Sequence, residues 1–78
     1  MDETIKVRPI QKTDWDATLK GFPSDKVEQL LAVYGNDGEL VGAICESVID
    51  HKYYINGQPE DGYASLQAAA TALLKSQN

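Results

Sequence analysis

Between Thr4 and Ile10 apolar and polar residues alternate, with Ile5 and Val7 facing one way and Lys6 and Arg8 the other. That two-residue period predicts a strand with one covered face. Pro9 has no N–H to give to a ladder, so the strand is expected at a sheet edge. A short helix is expected next, with Thr13 as its cap and Asp14 and Asp16 at the positive end of its dipole, until Gly21-Phe22-Pro23 stops it.

Residues 27–34 satisfy two patterns. Val27, Leu30, Leu31 and Tyr34 stand at helical spacing, with Asp25 and Glu28 placed as a capping box and Gly35 at the C′ position. The run Leu30–Tyr34 also meets Glu39–Ile44 across Gly35-Asn36-Asp37-Gly38, residues that tolerate positive φ and suit a hairpin. The hairpin is the preferred reading. Its second strand runs from Glu39 to about Glu46, with Leu40 and Ile44 on one face and Val41, Ala43 and Cys45 on the other, the mark of a central strand.

Val48-Ile49 continue or bulge, Asp50-His51 turn, and Lys52-Tyr53-Tyr54-Ile55 form a further strand closed by Asn56-Gly57. The chain ends in a helix from Gly62 or Tyr63 to about Ser76, capped by Asp61, with Tyr63, Leu66, Ala70 and Leu73 on one stripe. Glu60 and Asp61 at its start and Lys75 near its end match the dipole, and its five alanines raise propensity and let it lie close on a sheet. The expected fold is α+β: a small three- to four-stranded, mainly antiparallel sheet, a long C-terminal helix on one face and a short N-terminal helix, in the order β-α-β-β-β-α. Residues 1–78 are expected to form a single domain, with frayed ends at 1–3 and 76–78.

The 78 residues, 42% hydrophobic and 24% charged, fit one small globular domain. Seven basic against twelve acidic residues leave a formal charge of −5, so direct nucleic-acid binding and attachment to anionic membranes are not expected. Lys6, Arg8, Lys12, Lys20 and Lys26 all fall in the first third, which leaves one weakly basic end. The single cysteine, Cys45, cannot make an internal disulfide, and the acidic start Met1-Asp2-Glu3-Thr4 has no apolar run, so a cytoplasmic location is expected.

Cys45 and His51 are the only soft ligands, too few for a zinc site, and no metal is expected. Cys45 reads as a buried, inert thiol in mid-strand, and His51 as an exposed imidazole in a turn. Asp14, Asp16 and Asp25, or Glu60 and Asp61, read as dipole and capping residues, and Asp37 and Asp50 as turn formers. The loop Gly57-Gln58-Pro59-Glu60-Asp61-Gly62 lacks the Lys-Ser/Thr ending of a phosphate loop and carries two acids. No catalytic, cofactor-binding or metal residue is assigned, and no cofactor is expected. Trp15, Phe22, Tyr34, Tyr53, Tyr54 and Tyr63 are expected mostly in the core. On a strand, adjacent Tyr53 and Tyr54 point to opposite faces, so one of them is expected outside, as a candidate protein contact.

Ile5-Lys6-Val7-Arg8-Pro9-Ile10, then Asp14-Trp15, then the stretch from Leu31 to Gly42, resembles the opening half of GNAT-type acetyltransferases, and the element order agrees. The resemblance implies a basic, glycine-rich acetyl-CoA loop near Gln58-Pro59-Glu60-Asp61-Gly62, which here is acidic with different glycine spacing, and no catalytic residue carries over. The alanine-rich Ala68-Ala69-Ala70-Thr71-Ala72-Leu73-Leu74 is similar to the last helix of double-stranded-RNA-binding domains. That family grips phosphates with lysines at the helix start, where Tyr63-Ala64-Ser65-Leu66-Gln67 has none.

The leading expectation is a non-enzymatic protein-interaction module, offering an open sheet face or edge to a protein partner or to a second copy as a homodimer. A second is an acidic inhibitor of a nucleic-acid-processing enzyme, of the kind mobile elements encode, with carboxylates in place of phosphates. A third is a degenerate or partial acetyltransferase-like domain.

Overall fold

Antiparallel pairing between sequence neighbours builds the whole sheet. In the computed structural model, which describes residues 6–35, 37–58 and 60–75, the strands are β1 (Lys6–Pro9), β2 (Val27–Tyr34), β3 (Leu40–Ser47), β4 (Tyr53–Ile55) and β5 (Gly62–Tyr63). They lie side by side in that order. Helices α1 (Trp15–Thr18) and α2 (Leu66–Lys75), with 3-10 turns at Lys12–Asp14 and Ser24–Lys26, complete an α+β fold. The expected strand start at Thr4 and Ile5, the chain ends at 1–3 and 76–78, Asn36 and Pro59 lie outside the described residues.

β2 is a strand because it is central. Leu30, Leu31, Ala32 and Val33 are all buried, and a helix would cover only a stripe of them. The helical spacing is incidental to an apolar run enclosed from both faces. Asp25 therefore sits in a 3-10 turn and Glu28 is the extra residue of a β-bulge, where Val27 pairs with Ser47 and Gln29 with Glu46. Gln29 Nε2 donates to Glu46 Oε1 across that pair at 2.6 Å.

β1 is an edge strand, as its proline suggested. Ile10 N–H donates to the Leu30 carbonyl at 2.8 Å, which makes Ile10–Leu30, and by alternation Arg8–Ala32 and Lys6–Tyr34, the hydrogen-bonded pairs. The backbone groups of Val7 and Pro9 consequently point away from β2. Pro9 costs the ladder nothing, because its missing donor lies on the outer side.

Five strands stand where three or four were expected. The fifth is only Gly62-Tyr63, paired with Tyr54 and Tyr53, and these are the two residues expected to begin the last helix. That helix instead starts at Leu66, where Ser65 Oγ accepts from the Ala68 N–H at 3.1 Å, so Ser65 caps it rather than Asp61. Thr13 does not cap α1 either: it lies inside the preceding 3-10 turn, and no side chain caps that helix, which ends at Thr18.

Both sheet faces are covered, each by a separate apolar layer. On the first, Ala69, Ala70 and Leu73 of α2 pack on Val33, Ile44 and Ile55, flanked by Val7, Val41, Tyr53, Tyr63 and Leu66. On the second, Trp15 packs with Val27, Leu30, Ala43 and Cys45, flanked by Ile10, Leu19, Phe22 and Tyr54. The segment from Ile10 to Lys26 thus covers part of the face that was expected to stay open. Trp15 is 4% exposed, and its indole N–H donates to the Ile10 carbonyl at 2.8 Å, which satisfies the one polar atom it buries. Lys12 Nζ lies 5.6 Å from the centre of the same ring.

A second bulge lies at the other end of the β2–β3 hairpin. Val33 pairs with Gly42 but Tyr34 pairs with Leu40, so Val41 is the extra residue. Val41 joins Ile44 in the first layer and Leu40 turns to the second, which reverses the expected grouping of Leu40 with Ile44 and of Val41 with Ala43.

Candidate functional site

The layer over the second face stops short of the far end of the β2–β3 hairpin, and a groove of about 460 Å³ opens there. Its floor is Ala32 and Ala43, whose small side chains leave the depth, and its walls include Ile10, Ala17, Tyr34 and Leu40. Leu40 is 64% exposed, which is unusual for a leucine on a strand. The volume and mainly apolar lining fall in the range of sites that hold a ligand or a partner's side chain.

Asn56 holds one wall in place. Its Nδ2 donates to the Thr18 carbonyl at 2.7 Å and its Oδ1 accepts from the Lys20 N–H at 2.8 Å. Gly57 N–H then donates to the Lys20 carbonyl at 2.9 Å, and Asn56 N–H to Ala43 at 2.9 Å. One side chain thereby satisfies two of the backbone groups left over where α1 ends, and it ties that end to the close of β4.

Beyond Tyr34 lies a smaller hollow of about 270 Å³, lined by Lys6, Arg8, Tyr34 and Gly38. Gly38 has φ +81°, and a β-carbon added there would meet nothing within 4 Å, so Gly38 itself does not fill this hollow. Tyr34 borders both depressions.

The two tyrosines expected to supply a contact lie elsewhere. Both are half-buried, because each of the two covered faces takes one of them. Tyr53 packs in the α2 layer, and Tyr54 in the second layer against Phe22, with ring centroids 5.4 Å apart and planes tilted by 57°. The Tyr54 hydroxyl reaches the surface and donates to Asp50 Oδ2 at 2.7 Å. That bond, with a second from the Lys52 N–H to Oδ1 at 3.1 Å, holds the Asp50 carboxyl below its ordinary range. The Asp50 carboxylate in turn raises the Tyr54 phenol.

Cys45 is 1% exposed, and burial pushes its thiol up to about 11. It is a protonated core residue at neutral pH. His51 is exposed in the turn after Asp50, with φ 58°. The described acids are spread over separate segments, and of these Asp16 and Asp25 line one hollow with Lys12, Trp15 and Ser24. Among the described residues no group of three or more His, Cys, Asp or Glu could hold a metal ion, and no helix is long and apolar enough to cross a membrane.

Sequence reasoning missed Leu40, which looked like core, and Asn56, which looked like a simple strand stop. Neither carried a local signal, since the bulge and the partners of Asn56 depend on distant pairing. Compared with known proteins, the chain matches no family model, no curated protein and no solved structure.

Proposed function

We propose that this chain is a non-enzymatic protein-interaction module, which docks a protein partner, in the simplest form a second copy of itself, through the groove beside α1. The single observation that carries this reading is Leu40, 64% exposed at the rim of an apolar groove and opposite Tyr34 in the hairpin register. A side chain so placed gains on burial against a partner, and a neighbouring tyrosine adds a large, stiff contact area. The lone buried cysteine suits a reducing compartment such as the cytoplasm.

The experiment is the mass in solution by light scattering, at low and high salt, for the parent chain and for Leu40→Asp. The expected result is a salt-insensitive dimer that the substitution converts to monomer. A parent chain that is monomeric at every concentration removes the self-associating form. Partner capture that is indifferent to Leu40→Asp then overturns the reading of the groove.

A further inference from the structure

We infer that the free edge of β1 takes up an extended acidic segment of a partner protein as an added strand, with its carboxylates on Lys6 and Arg8. This deepens the interaction-module reading and rests on it, since it names the chemistry of the partner. Among the described residues no strand lies outside β1 in the sheet. The outward backbone groups there are the N–H and C=O of Val7 and the C=O of Pro9, enough to align a strand by a few ladder bonds.

The side chains select what aligns. Lys6 and Arg8 are exposed, and neither side chain has an ion-pair or hydrogen-bond partner among the described residues. They stand two residues apart on one face, about 6.7 Å at the usual strand rise. An incoming strand repeats its own side chains at that spacing, so acids at alternate positions fall in step with both cations. The hollow of about 270 Å³ between Lys6, Arg8, Tyr34 and Gly38 gives those carboxylates room beside the Tyr34 ring.

A second copy is a poor occupant of this edge. Pairing β1 with another β1 would bring Lys6 and Arg8 against like charges, and each Pro9 would remove a donor. The same two cations that oppose self-pairing admit an acidic strand, in a chain whose overall charge of −5 repels acidic segments elsewhere.

The test is a titration of the isotope-labelled full chain, followed by backbone amide NMR, with a short peptide alternating glutamate and valine. Saturable shifts at Lys6–Arg8, Tyr34 and Gly38 are expected, weakened about tenfold by Arg8→Glu and by raised salt. The same peptide with glutamine for glutamate should bind at least about tenfold more weakly. Equal binding of the glutamine peptide, indifference to Arg8→Glu, or shifts confined to other segments would overturn the proposal. So would a single-stranded oligonucleotide that shifts the same amides while the peptide does not. Failure here with the Leu40→Asp effect intact would remove the acidic strand alone, and loss of the Leu40 effect with peptide binding intact would remove the groove alone.

Discussion

A β-carbon at position 42 would lie 3.0 Å from Cδ1 and 3.1 Å from Cδ2 of Leu73, so α2 rests with Leu73 directly on the bare backbone of Gly42. Gly42→Ala should therefore destabilise the fold. Replacing glycine in a strand gains about 0.5–1 kcal/mol, while pushing the buried Leu73 side chain off its packed position costs about 1–3 kcal/mol. The urea midpoint should fall with an unchanged slope, and Leu73→Ala should cost less in the Gly42→Ala background than alone.

Asn56→Ala should loosen α1 without disturbing the sheet. The Lys20 N–H and the Thr18 carbonyl would each lose a partner, at about 1–3 kcal/mol if water does not replace it. Hydrogen exchange of the Leu19 and Lys20 amides should accelerate while that of Leu30 and Ile44 keeps the global rate. Asn56→Asp keeps the acceptor and should protect the Lys20 amide better than Asn56→Ala does.

The Tyr54–Asp50 contact should work in a definable pH window. Because the Asp50 carboxyl is lowered by the Tyr54 hydroxyl, the contact stabilises the fold above the ordinary carboxyl value of about 3.9 and fades as pH falls through the lowered one. Because the Tyr54 phenol is raised by Asp50, the contact is complete below about pH 10 and is lost as pH rises through the raised value. In Tyr54→Phe the Asp50 carboxyl should titrate higher, yet still below its ordinary value, because the Lys52 N–H remains. A carbon-detected NMR titration of Asp50 that is unchanged by the substitution would contradict this.

The Cys45 thiol should be silent to alkylating reagents at pH 8 in the folded chain, being both 1% exposed and shifted up to about 11. In denaturant it should react as an ordinary thiol. Its labelling rate in mild denaturant should follow global opening, and Gly42→Ala should accelerate it in proportion to the stability lost.

Much of the sheet was legible because its strands carry their own signals: alternation at Val7 and Arg8, a doubly apolar run at Leu30–Val33, the Gly-rich hairpin loop and the Tyr-rich β4. The helix α2 was legible from its alanines and its stripe. What stayed hidden depends on pairing or on dense packing without periodicity. Gly62-Tyr63 form a strand only because Tyr53 and Tyr54 lie beside them. The segment from Ile10 to Lys26 has no clear period, yet Trp15 and Phe22 required burial, and that demand was the available hint of a second layer. Read without that layer, Tyr53 and Tyr54 implied an outward ring, whereas the structure places one in each layer. Leu40 could not be found from the sequence, since its face is decided by the extra residue Val41.

The two bulges also give the β2–β3 hairpin slack in chain length. Pairs from Gln29–Glu46 to Val33–Gly42 keep one unbroken register, and each bulge absorbs its surplus residue outside that span. Deleting Val41 or Glu28 would return its end of the hairpin to regular alternation and leave Leu30, Ile44 and Cys45 facing the same layers. Deleting Ile44 would move every later residue of the strand to the wrong face. Insertions and deletions are therefore absorbed at the two ends of this hairpin and rejected at its centre, so the length of the chain is free to drift beside the groove while the core stays in step.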